Sequence, residues 1–207
     1  MRHDIYLEGF NLRLRPVRME DAAFIGWLRN LDYVKGKVGD SAADVAGQEA
    51  WLRAYFEREG DYYFIVETLG GIPMGTHGIY DVKGTSAEKG RHIVRSEVMA
   101  GLPNEMLMMD LAFNRLGLSE LRSNHVSTNR NLYSLHRKCG FKQVGIKRTA
   151  QIVDGKPVDL VQYLLTAEDW SKVHDHLLPL AQLAGRQVLD WSNTQSGKRQ
   201  PWEEVKN

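Results

Sequence analysis

The pattern of apolar and polar residues in the first part of the chain alternates between strand and helix periods. Apolar residues occupy every second position of residues 10–15, which is typical of a half-buried strand. Residues 19–31 carry apolar side chains at helical spacing behind two acidic residues, and negative charge stabilises a helix N-terminus. An aperiodic segment over residues 32–44 precedes a second helical pattern over residues 45–58. The chain is therefore predicted to open with a strand, a helix, a loop and a helix.

The middle of the chain is rich in residues that favour strands. Residues 62–68 and 74–82 flank a Gly-Gly turn, which predicts a β-hairpin. The polar residues 83–90 predict a second turn, and residues 91–100 predict a third antiparallel strand. The Met- and Leu-rich residues 105–116 predict a long helix, which ends at a glycine. Residues 121–128 then predict a strand parallel to the third, because a helical crossover joins parallel strands.

The last part of the chain combines a short helix, two strands and a longer helix. The segment NRNLYSLHRKCGF (residues 129–141) predicts a loop and a helix ahead of a strand at residues 140–148. A strand at 158–166 is followed by a helix at 167–191, with Thr166 as its N-cap and Pro179 as a kink. These elements predict an α+β fold with a mostly antiparallel central sheet and helices on both faces. Residues 1–170 are expected to form one domain, and residues 171–207 a helical extension with a polar tail in which Trp202 can dock.

Composition and charge limit the classes of partner. The 207 residues include 27 basic and 26 acidic side chains, so the formal charge of +1 does not favour binding to nucleic acid. No apolar run reaches the roughly 18 residues of a membrane span, and the N-terminus has no signal-peptide core. Cys139 is the only cysteine, which excludes an intramolecular disulfide. We expect a cytoplasmic protein without a membrane or nucleic-acid partner.

The order of the elements and the segment NRNLYSLHRKCGF resemble the GNAT superfamily of acyl-CoA-dependent N-acyltransferases over about residues 10–170. The opening segment LRLRPVRMEDAAFIGWL resembles the ribosomal-protein N-terminal acetyltransferase branch. The resemblance implies a V-shaped split between the parallel strands 91–100 and 121–128. Acetyl-CoA is expected there, with its pantetheine arm paired to the first strand and its pyrophosphate at the N-terminus of the next helix.

The resemblance also implies which residues bind the cofactor. Asn129 matches the family's cofactor-contacting asparagine and can cap its helix as well. The expected set surrounds the split: Val98, Met99, Ala100, Gly101, Asn104, Asn129 and Arg137. The loop before the helix is shorter than is usual in the family, and Glu105 in the first helical turn is expected to repel a pyrophosphate. A non-catalytic acyl-CoA-binding module is therefore an alternative to the enzyme.

Acetyl transfer to an alkyl amine requires a base, because the ammonium form has a pKa near 10.4. The candidates on the predicted central strands are Glu97, His92, His77 and Asp81, and Glu97 is favoured because it matches a glutamate of the family. His136 occupies the position of the family tyrosine that protonates the leaving thiolate, a role that a histidine can fill near neutral pH. Tyr133, one helical turn earlier, is the other candidate donor. The spacing of the histidines does not indicate a metal site.

The expected acceptor is a small-molecule amine. Lys35 and Lys37 place positive charge beside the expected acceptor site, which favours an anionic acceptor such as a nucleotide-linked amino sugar. Trp51 and the aromatic residues 62–64 also resemble GNAT members that acetylate such sugars. The branch resemblance favours the α-amine of a protein N-terminus instead. In either case the amine is expected to attack acetyl-CoA directly in a ternary complex, and the apolar side of residues 168–191 allows a homodimer.

Overall fold

The computed structural model describes residues 2–38, 44–153 and 155–206, and its centre is one eight-stranded sheet in the order β1-β2-β3-β4-β5-β6-β8-β7. The strands are β1 (Leu7–Gly9), β2 (Leu12–Pro16), β3 (Tyr62–Thr68), β4 (Pro73–Lys83), β5 (Ser86–Val94), β6 (Glu120–Val126), β7 (Lys142–Val153) and β8 (Lys156–Thr166). The helices are α1 (Ala22–Arg29), α2 (Val45–Phe56), α3 (Gly101–Met109), α4 (Arg130–Lys138) and α5 (Ala167–Thr194). Strands β5 and β6 pair in parallel, whereas the other described pairs are antiparallel. The predicted mixed, mostly antiparallel sheet is confirmed.

Two apolar clusters cover the two faces of the sheet. Strand β3 shows the division, because alternate side chains of a strand point to opposite faces. Tyr63 and Ile65 belong to a cluster with residues of α1 and α2, whereas Phe64 and Val66 belong to a cluster with residues of α3 and α5. The predicted arrangement, with helices on both faces, is therefore confirmed.

The N-terminal hairpin adds a strand that the sequence pattern did not predict. Strand β1 pairs with β2 from Leu7↔Leu14 to Gly9↔Leu12. Phe10 and Asn11 form the turn with φ angles of 54° and 59°, the left-handed conformation that a two-residue hairpin favours. A strand of three residues is too short to show a period of two, and Phe10 therefore seemed to belong to the strand that follows.

Strand β5 corrects the prediction for residues 83–100. The segment predicted as a turn forms most of the strand, and Gly84 with Thr85 makes the actual turn between β4 and β5. Residues 95–100 lie outside the strand and lead into α3, so the predicted strand at 91–100 is wrong in its bounds. The polar appearance of the segment misled the prediction because the Lys89 side chain is buried, although charged side chains are rarely buried without a partner.

The helices also begin and end at other residues than the pattern predicted. Helix α3 begins at Gly101, four residues before the predicted start, and continues as a π-helical turn over Asp110–Arg115. The Thr166 hydroxyl accepts the Asp169 N–H at 3.0 Å, which confirms the predicted N-cap of α5. Helix α5 continues through Pro179 to Thr194. Among the described residues, no helix is both long and apolar enough to cross a membrane.

Helix α5 shares the core of the first 170 residues. Leu177, Ala181 and Val188 belong to the same apolar cluster as the methionines of α3, whereas Leu180 and Leu183 are exposed. The division at residue 170 and the homodimer stay predictions.

Candidate active site

The parallel strands β5 and β6 separate after a short paired stretch. They pair from Ser86↔Glu120 to Lys89↔Ser123, and their register ends there. Residues 90–94 of β5 and 124–126 of β6 therefore diverge. This is the predicted V-shaped split, formed by an earlier part of the first strand than the sequence pattern indicated.

A β-bulge in β5 accounts for the divergence. Thr76 pairs with Ile93 and Gly78 pairs with Gly90, so two residues of β5, Arg91 and His92, stand opposite His77 alone. An extra residue of this kind bends its strand and redirects the neighbouring side chains. The Arg91 backbone has a φ of 53°, in the left-handed region that non-glycine residues rarely adopt. The bulge turns β5 away from β6 and opens the split.

The Arg91 side chain holds this strained backbone in place. Its guanidinium donates two hydrogen bonds to the Asp61 carboxylate, at 2.5 and 2.8 Å. It also lies 4.5–5.9 Å from the centroids of four aromatic rings, which belong to Trp51, Tyr55, Tyr63 and Tyr80. Burial by itself would lower the pKa of Arg91, but the Asp61 carboxylate raises it above the usual range. Such contacts sustain a backbone conformation that is unfavourable by itself.

The end of β5 presents backbone groups to the split. The Arg95 N–H donates to the Met74 carbonyl of β4 at 2.7 Å. Because backbone groups alternate in direction along a strand, the N–H and C=O of Val94 point away from β4. The Val94 carbonyl accepts the Tyr33 hydroxyl at 3.0 Å. An extended amide chain lying in the split can thus pair with the Val94 N–H, and with the second lone pair of its carbonyl.

Two adjoining grooves, each of about 230 Å³, occupy the split. The outer groove lies between the end of β5, Gly101 at the start of α3, and residues 129–135 around the start of α4. The inner groove extends down the split to Lys89 and His125, and its far side includes Tyr80 and Gln151. Both grooves share six lining residues: Lys37, Val38, His92, Ile93, Asn129 and Leu132. His92 is the titratable imidazole of this shared wall.

A buried ion pair lies behind His92. The Lys89 ammonium contacts the Glu105 carboxylate, and the side chains are only 1% and 0% exposed. His92 Nδ1 lies 3.2 Å from Glu105 Oε1. Burial by itself would raise the pKa of the Glu105 carboxyl, but Lys89 and His92 hold it well below its usual range. Glu105 thus points into the core, and the predicted repulsion of a pyrophosphate at the start of α3 is wrong.

The donor atoms of His77, His92 and Glu105 lie within 4.8 Å of one another, but their arrangement does not suit a metal ion. The two imidazole rings are stacked 4.3 Å apart at 11°, so their in-plane lone pairs run nearly parallel instead of converging. The Lys89 ammonium already neutralises the carboxylate. His77 also contacts the buried Asn104 side chain at 3.1 Å, and burial lowers the pKa of His77 well below its usual value. We assign no metal to this cluster.

His136 is buried on the inner side of α4. Its ring stacks on Phe141 at 4.3 Å and is tilted against His125 at 5.3 Å. Burial and the nearby Lys89 ammonium lower the pKa of His136 to about 2, so the ring is neutral at physiological pH. His136 is not among the described residues that line the two grooves. Its role as the donor of a proton to the thiolate stays a prediction, and at neutral pH the ring carries no imidazolium proton to donate.

The other predicted catalytic residues lie at the margins of the split. Tyr133 is on the exposed side of α4 and lines a separate cavity of about 420 Å³ beside β7 and β8. Glu97 follows β5 and accepts hydrogen bonds from the Arg95 guanidinium at 2.7 and 3.0 Å. Burial would raise the pKa of Glu97, but the bonds from Arg95 hold it below its usual value. The predicted position of Glu97 on the cofactor strand is wrong, and the catalytic roles of Tyr133 and Glu97 stay predictions.

Two of the predicted cofactor-binding residues line the outer groove. Gly101 lies at the start of α3, and Asn129 Oδ1 accepts the Leu132 N–H at 3.3 Å, which confirms Asn129 as the N-cap of α4. The other five are distributed around the groove: Ala100 and Asn104 are buried, Val98 is half-buried, and Met99 and Arg137 are exposed. Their contacts with a cofactor stay predictions.

The structure adds contacts that the sequence did not indicate. Tyr33 and Val94 form the hydrogen bond at the edge of the outer groove, and Lys89 with Glu105 forms the ion pair behind His92. Tyr33 lies in the same loop as Lys35 and Lys37, which were expected beside the acceptor, so the sequence indicated the loop but not the residue. Lys89 and Glu105 are sixteen residues apart, and neither local pattern marks the pair.

Comparisons with known proteins agree with this geometry. The family model "Acetyltransferase (GNAT) domain" matches residues 11–142, more than half of the chain. No curated protein sequence matches the chain.

Three solved structures illustrate the similarity of the fold. Apo FdhC, a nucleotide-linked sugar GNAT, is 23% identical with a TM-score of 0.69, over 88% of this chain and 99% of that one. Mycobacterium smegmatis RimJ in complex with CoA-disulfide is 23% identical with a TM-score of 0.69, over 83% and 90%. Spermidine N-acetyltransferase from Vibrio cholerae, in complex with CoA and spermine, is 17% identical with a TM-score of 0.70, over 79% and 99%.

The family match, the parallel pair that splits and the two grooves at the split lead to one conclusion. The chain belongs to the GNAT family and is an N-acetyltransferase that uses acetyl-CoA as its acyl donor.

Proposed function

We propose that this enzyme acetylates the primary amine of a small anionic acceptor, and we favour a nucleotide-linked amino sugar. The observation that carries the proposal is the meeting of the two grooves at His92. One groove suits the acyl donor and the other suits the acceptor. Direct attack of the amine in a ternary complex requires both substrates to meet at one point, and the shared wall of the grooves provides it.

The outer groove suits acetyl-CoA. Val94 offers backbone groups along the split, as an added strand requires. Gly101 lies at the N-terminus of α3, where helix N–H groups favour a pyrophosphate. Acetyl-CoA supplies the activated acyl group as a thioester. Asn129, which lines both grooves, is placed to bond an amide of the pantetheine arm while it caps α4.

The inner groove contains the group best placed to remove a proton from the acceptor. An alkyl ammonium must lose a proton before it can attack. Histidine is the side chain whose unperturbed pKa lies closest to physiological pH, so it can accept such a proton. His92 lies on the wall shared by the grooves, and the Glu105 carboxylate lies 3.2 Å behind it. Glu105 stabilises the imidazolium that forms when His92 accepts the proton. We therefore propose His92, one of the four candidates from the sequence, as the base in place of Glu97.

The charge around the inner groove favours an anionic acceptor. The described residues that line it include no aspartate or glutamate, and Lys37 adds positive charge there. Lys89 and Arg91 also line it, but their charges are paired with Glu105 and Asp61. A polyamine carries several positive charges and is better recognised by carboxylates. A nucleotide-linked sugar carries a diphosphate, which basic side chains can bind. FdhC, described as a nucleotide-linked sugar GNAT, has the same fold at 23% identity and supports this choice.

The experiment is an assay of thiol release from acetyl-CoA with a panel of acceptors. The panel contains nucleotide-linked amino sugars, spermidine, and a peptide with a free N-terminus. We expect turnover with the amino sugars and a KM for them that rises with salt, because salt screens the attraction between charges. Turnover with spermidine alone would overturn the charge argument, and turnover with the peptide alone would establish the protein N-terminus as the acceptor.

A matched pair of variants tests the role of charge at the groove. Lys37 lines both grooves, whereas Lys35 lies 3.7 Å from the Asp32 carboxylate and points to solvent. Lys37→Glu is expected to raise the KM for the anionic acceptor by about tenfold, the equivalent of about 1.4 kcal/mol. Lys35→Glu changes the net charge equally and is expected to leave this KM within about twofold. Equal effects of the two variants would contradict a specific role for Lys37.

A further inference from the structure

A box of aromatic and polar groups encloses Arg95, the first residue after β5. Its guanidinium lies 5.3, 4.9 and 5.3 Å from the ring centroids of Trp27, Trp191 and Trp202. It donates to Gln200 Oε1 at 3.1 Å and to the Glu97 carboxylate. Arg95 is buried, although its positive charge would be unfavourable there without these partners. Three of the five partners come from the last seventeen residues of the chain.

Trp202, one of the C-terminal partners, is buried and packs on other aromatic rings. Trp202 is only 7% exposed, and its ring packs on Phe24 at 4.7 Å and on Trp27 at 4.9 Å. It therefore belongs to the apolar cluster between α1, α2 and the sheet. A polar tail was predicted here with Trp202 as a docking residue, and the structure confirms the docking. We call Trp191, Gln200 and Trp202 the C-terminal clasp.

The segment that Arg95 anchors joins two parts of the lining of the outer groove. Residues 95–100 connect Val94, whose backbone faces the split, to Gly101 at the start of α3. The Arg95 N–H bonds to β4, and the Ala100 N–H bonds to the Val98 carbonyl at 2.8 Å, within the segment itself. The side chain of Arg95 thus ties the connecting segment to the clasp. The segment is thus the covalent link between two residues that line the outer groove.

We propose that the C-terminal clasp positions the acetyl-CoA site by fixing Arg95 and, through it, residues 95–100. This inference rests on the proposed placement of acetyl-CoA in the outer groove. Glu97 then has a structural role, because it completes the set of partners of Arg95. Loosening the clasp weakens the binding of acetyl-CoA without removing His92 or any other group of the inner groove.

The test compares two buried tryptophans in the full-length protein. Trp202→Leu removes a ring of the box, whereas Trp170→Leu removes an equally buried ring from the start of α5, which belongs to the other apolar cluster. We expect Trp202→Leu to raise the KM for acetyl-CoA about tenfold, the equivalent of about 1.4 kcal/mol, with kcat within about twofold. Trp202→Phe keeps an aromatic ring and is expected to restore most of the affinity. Trp170→Leu is expected to lower the Tm without changing this KM.

Hydrogen exchange provides a second readout. Amides of residues 95–104 are expected to exchange faster in Trp202→Leu than in the wild type, and to stay protected in Trp170→Leu. Gln200→Ala removes one hydrogen bond and serves if Trp202→Leu does not fold, with an expected rise in KM of about threefold.

An unchanged KM in the folded variants, or an equal rise in Trp170→Leu, would overturn the proposal. Failure of the proposed function is distinguishable, because the wild-type protein would then show no saturable turnover with acetyl-CoA.

Discussion

Glu105→Gln is expected to destabilise the protein by about 3–5 kcal/mol, because it leaves the Lys89 ammonium buried without its carboxylate. The magnitude follows from the burial of the pair, whose side chains are 1% and 0% exposed. Lys89→Met is expected to cost a similar amount, since it leaves the buried Glu105 carboxylate without its ammonium partner. These losses are a large part of the 5–15 kcal/mol that typically stabilises a folded domain.

The double variant Lys89→Met with Glu105→Gln separates the charge from the packing. It removes both charges while it keeps side chains of similar volume, so it is expected to be more stable than either single variant. The coupling between the two positions should therefore be at least about 2 kcal/mol. Urea unfolding at pH 7 measures the free energy of unfolding of all four proteins. Lys172→Met is the control, because Lys172 and Glu168 form an exposed pair, and it is expected to cost less than about 1 kcal/mol.

The same pair predicts a dependence on pH. Because the pKa of Glu105 is lower in the folded protein than in the unfolded chain, its stabilising contribution is complete above the usual value of 4.5. That contribution is lost as pH falls from 4.5 through the folded pKa, a loss that the double variant lacks. A double variant that is destabilised by the sum of the two single costs would refute the pairing.

Three further predictions concern residues around the split. Burial lowers the pKa of His136 to about 2 in the folded protein, against about 6.5 in the unfolded chain. The free energy of unfolding therefore falls by about 1.4 kcal/mol for each pH unit below 6.5. His136→Leu should reduce the slope of this free energy against pH by that amount, and an unchanged slope would contradict the burial argument. His92→Gln is expected to lower kcat about 10²–10⁴-fold with little change in the KM for acetyl-CoA, and a kcat near the wild-type value would exclude His92 as the base. Arg91→Ala should cost about 3 kcal/mol in urea unfolding, because the Asp61 carboxylate loses two hydrogen bonds and the Arg58 guanidinium, 3.7 Å away, replaces them only in part. Arg122→Ala on the exposed side of β6 should cost less than about 1 kcal/mol, and equal costs would refute the anchoring of the bulge.

The sequence predicted the elements whose periods are regular. Strand β3 has the predicted bounds, and the segment NRNLYSLHRKCGF forms the capped helix α4. Its N-cap could be predicted because asparagine is a favoured N-cap residue and Asn129 accepts a hydrogen bond from Leu132, only three residues away. The crossover of α3 between parallel strands followed from the order of the elements.

The sequence could not show features that depend on contacts between distant residues. The polar appearance of residues 86–90 hid a strand because Lys89 is neutralised by Glu105, which lies in another element. The position of Glu97 was misjudged for the same reason, since β5 began and ended earlier than its polar pattern suggested. His136 looked accessible on a short polar helix, yet Phe141 and His125 cover it. The side of a short helix that faces the core is decided by the elements packed against it.

The bulge at Arg91 is the clearest case of tertiary control. An arginine with a φ of 53° has no signal in the sequence, because nothing local favours it. Asp61 and four aromatic rings from α2, β3 and β4 hold it instead.

The most direct test of the account is the rate of acetyl transfer to a nucleotide-linked amino sugar by the wild-type enzyme and by His92→Gln. We predict saturable, acetyl-CoA-dependent turnover by the wild type, and a loss of kcat in the variant while its affinity for acetyl-CoA is retained. Turnover of the amino sugar at the same kcat in both proteins would contradict the chemistry assigned to the split. No turnover by the wild type with this acceptor, together with rapid turnover of spermidine, would contradict the anionic acceptor.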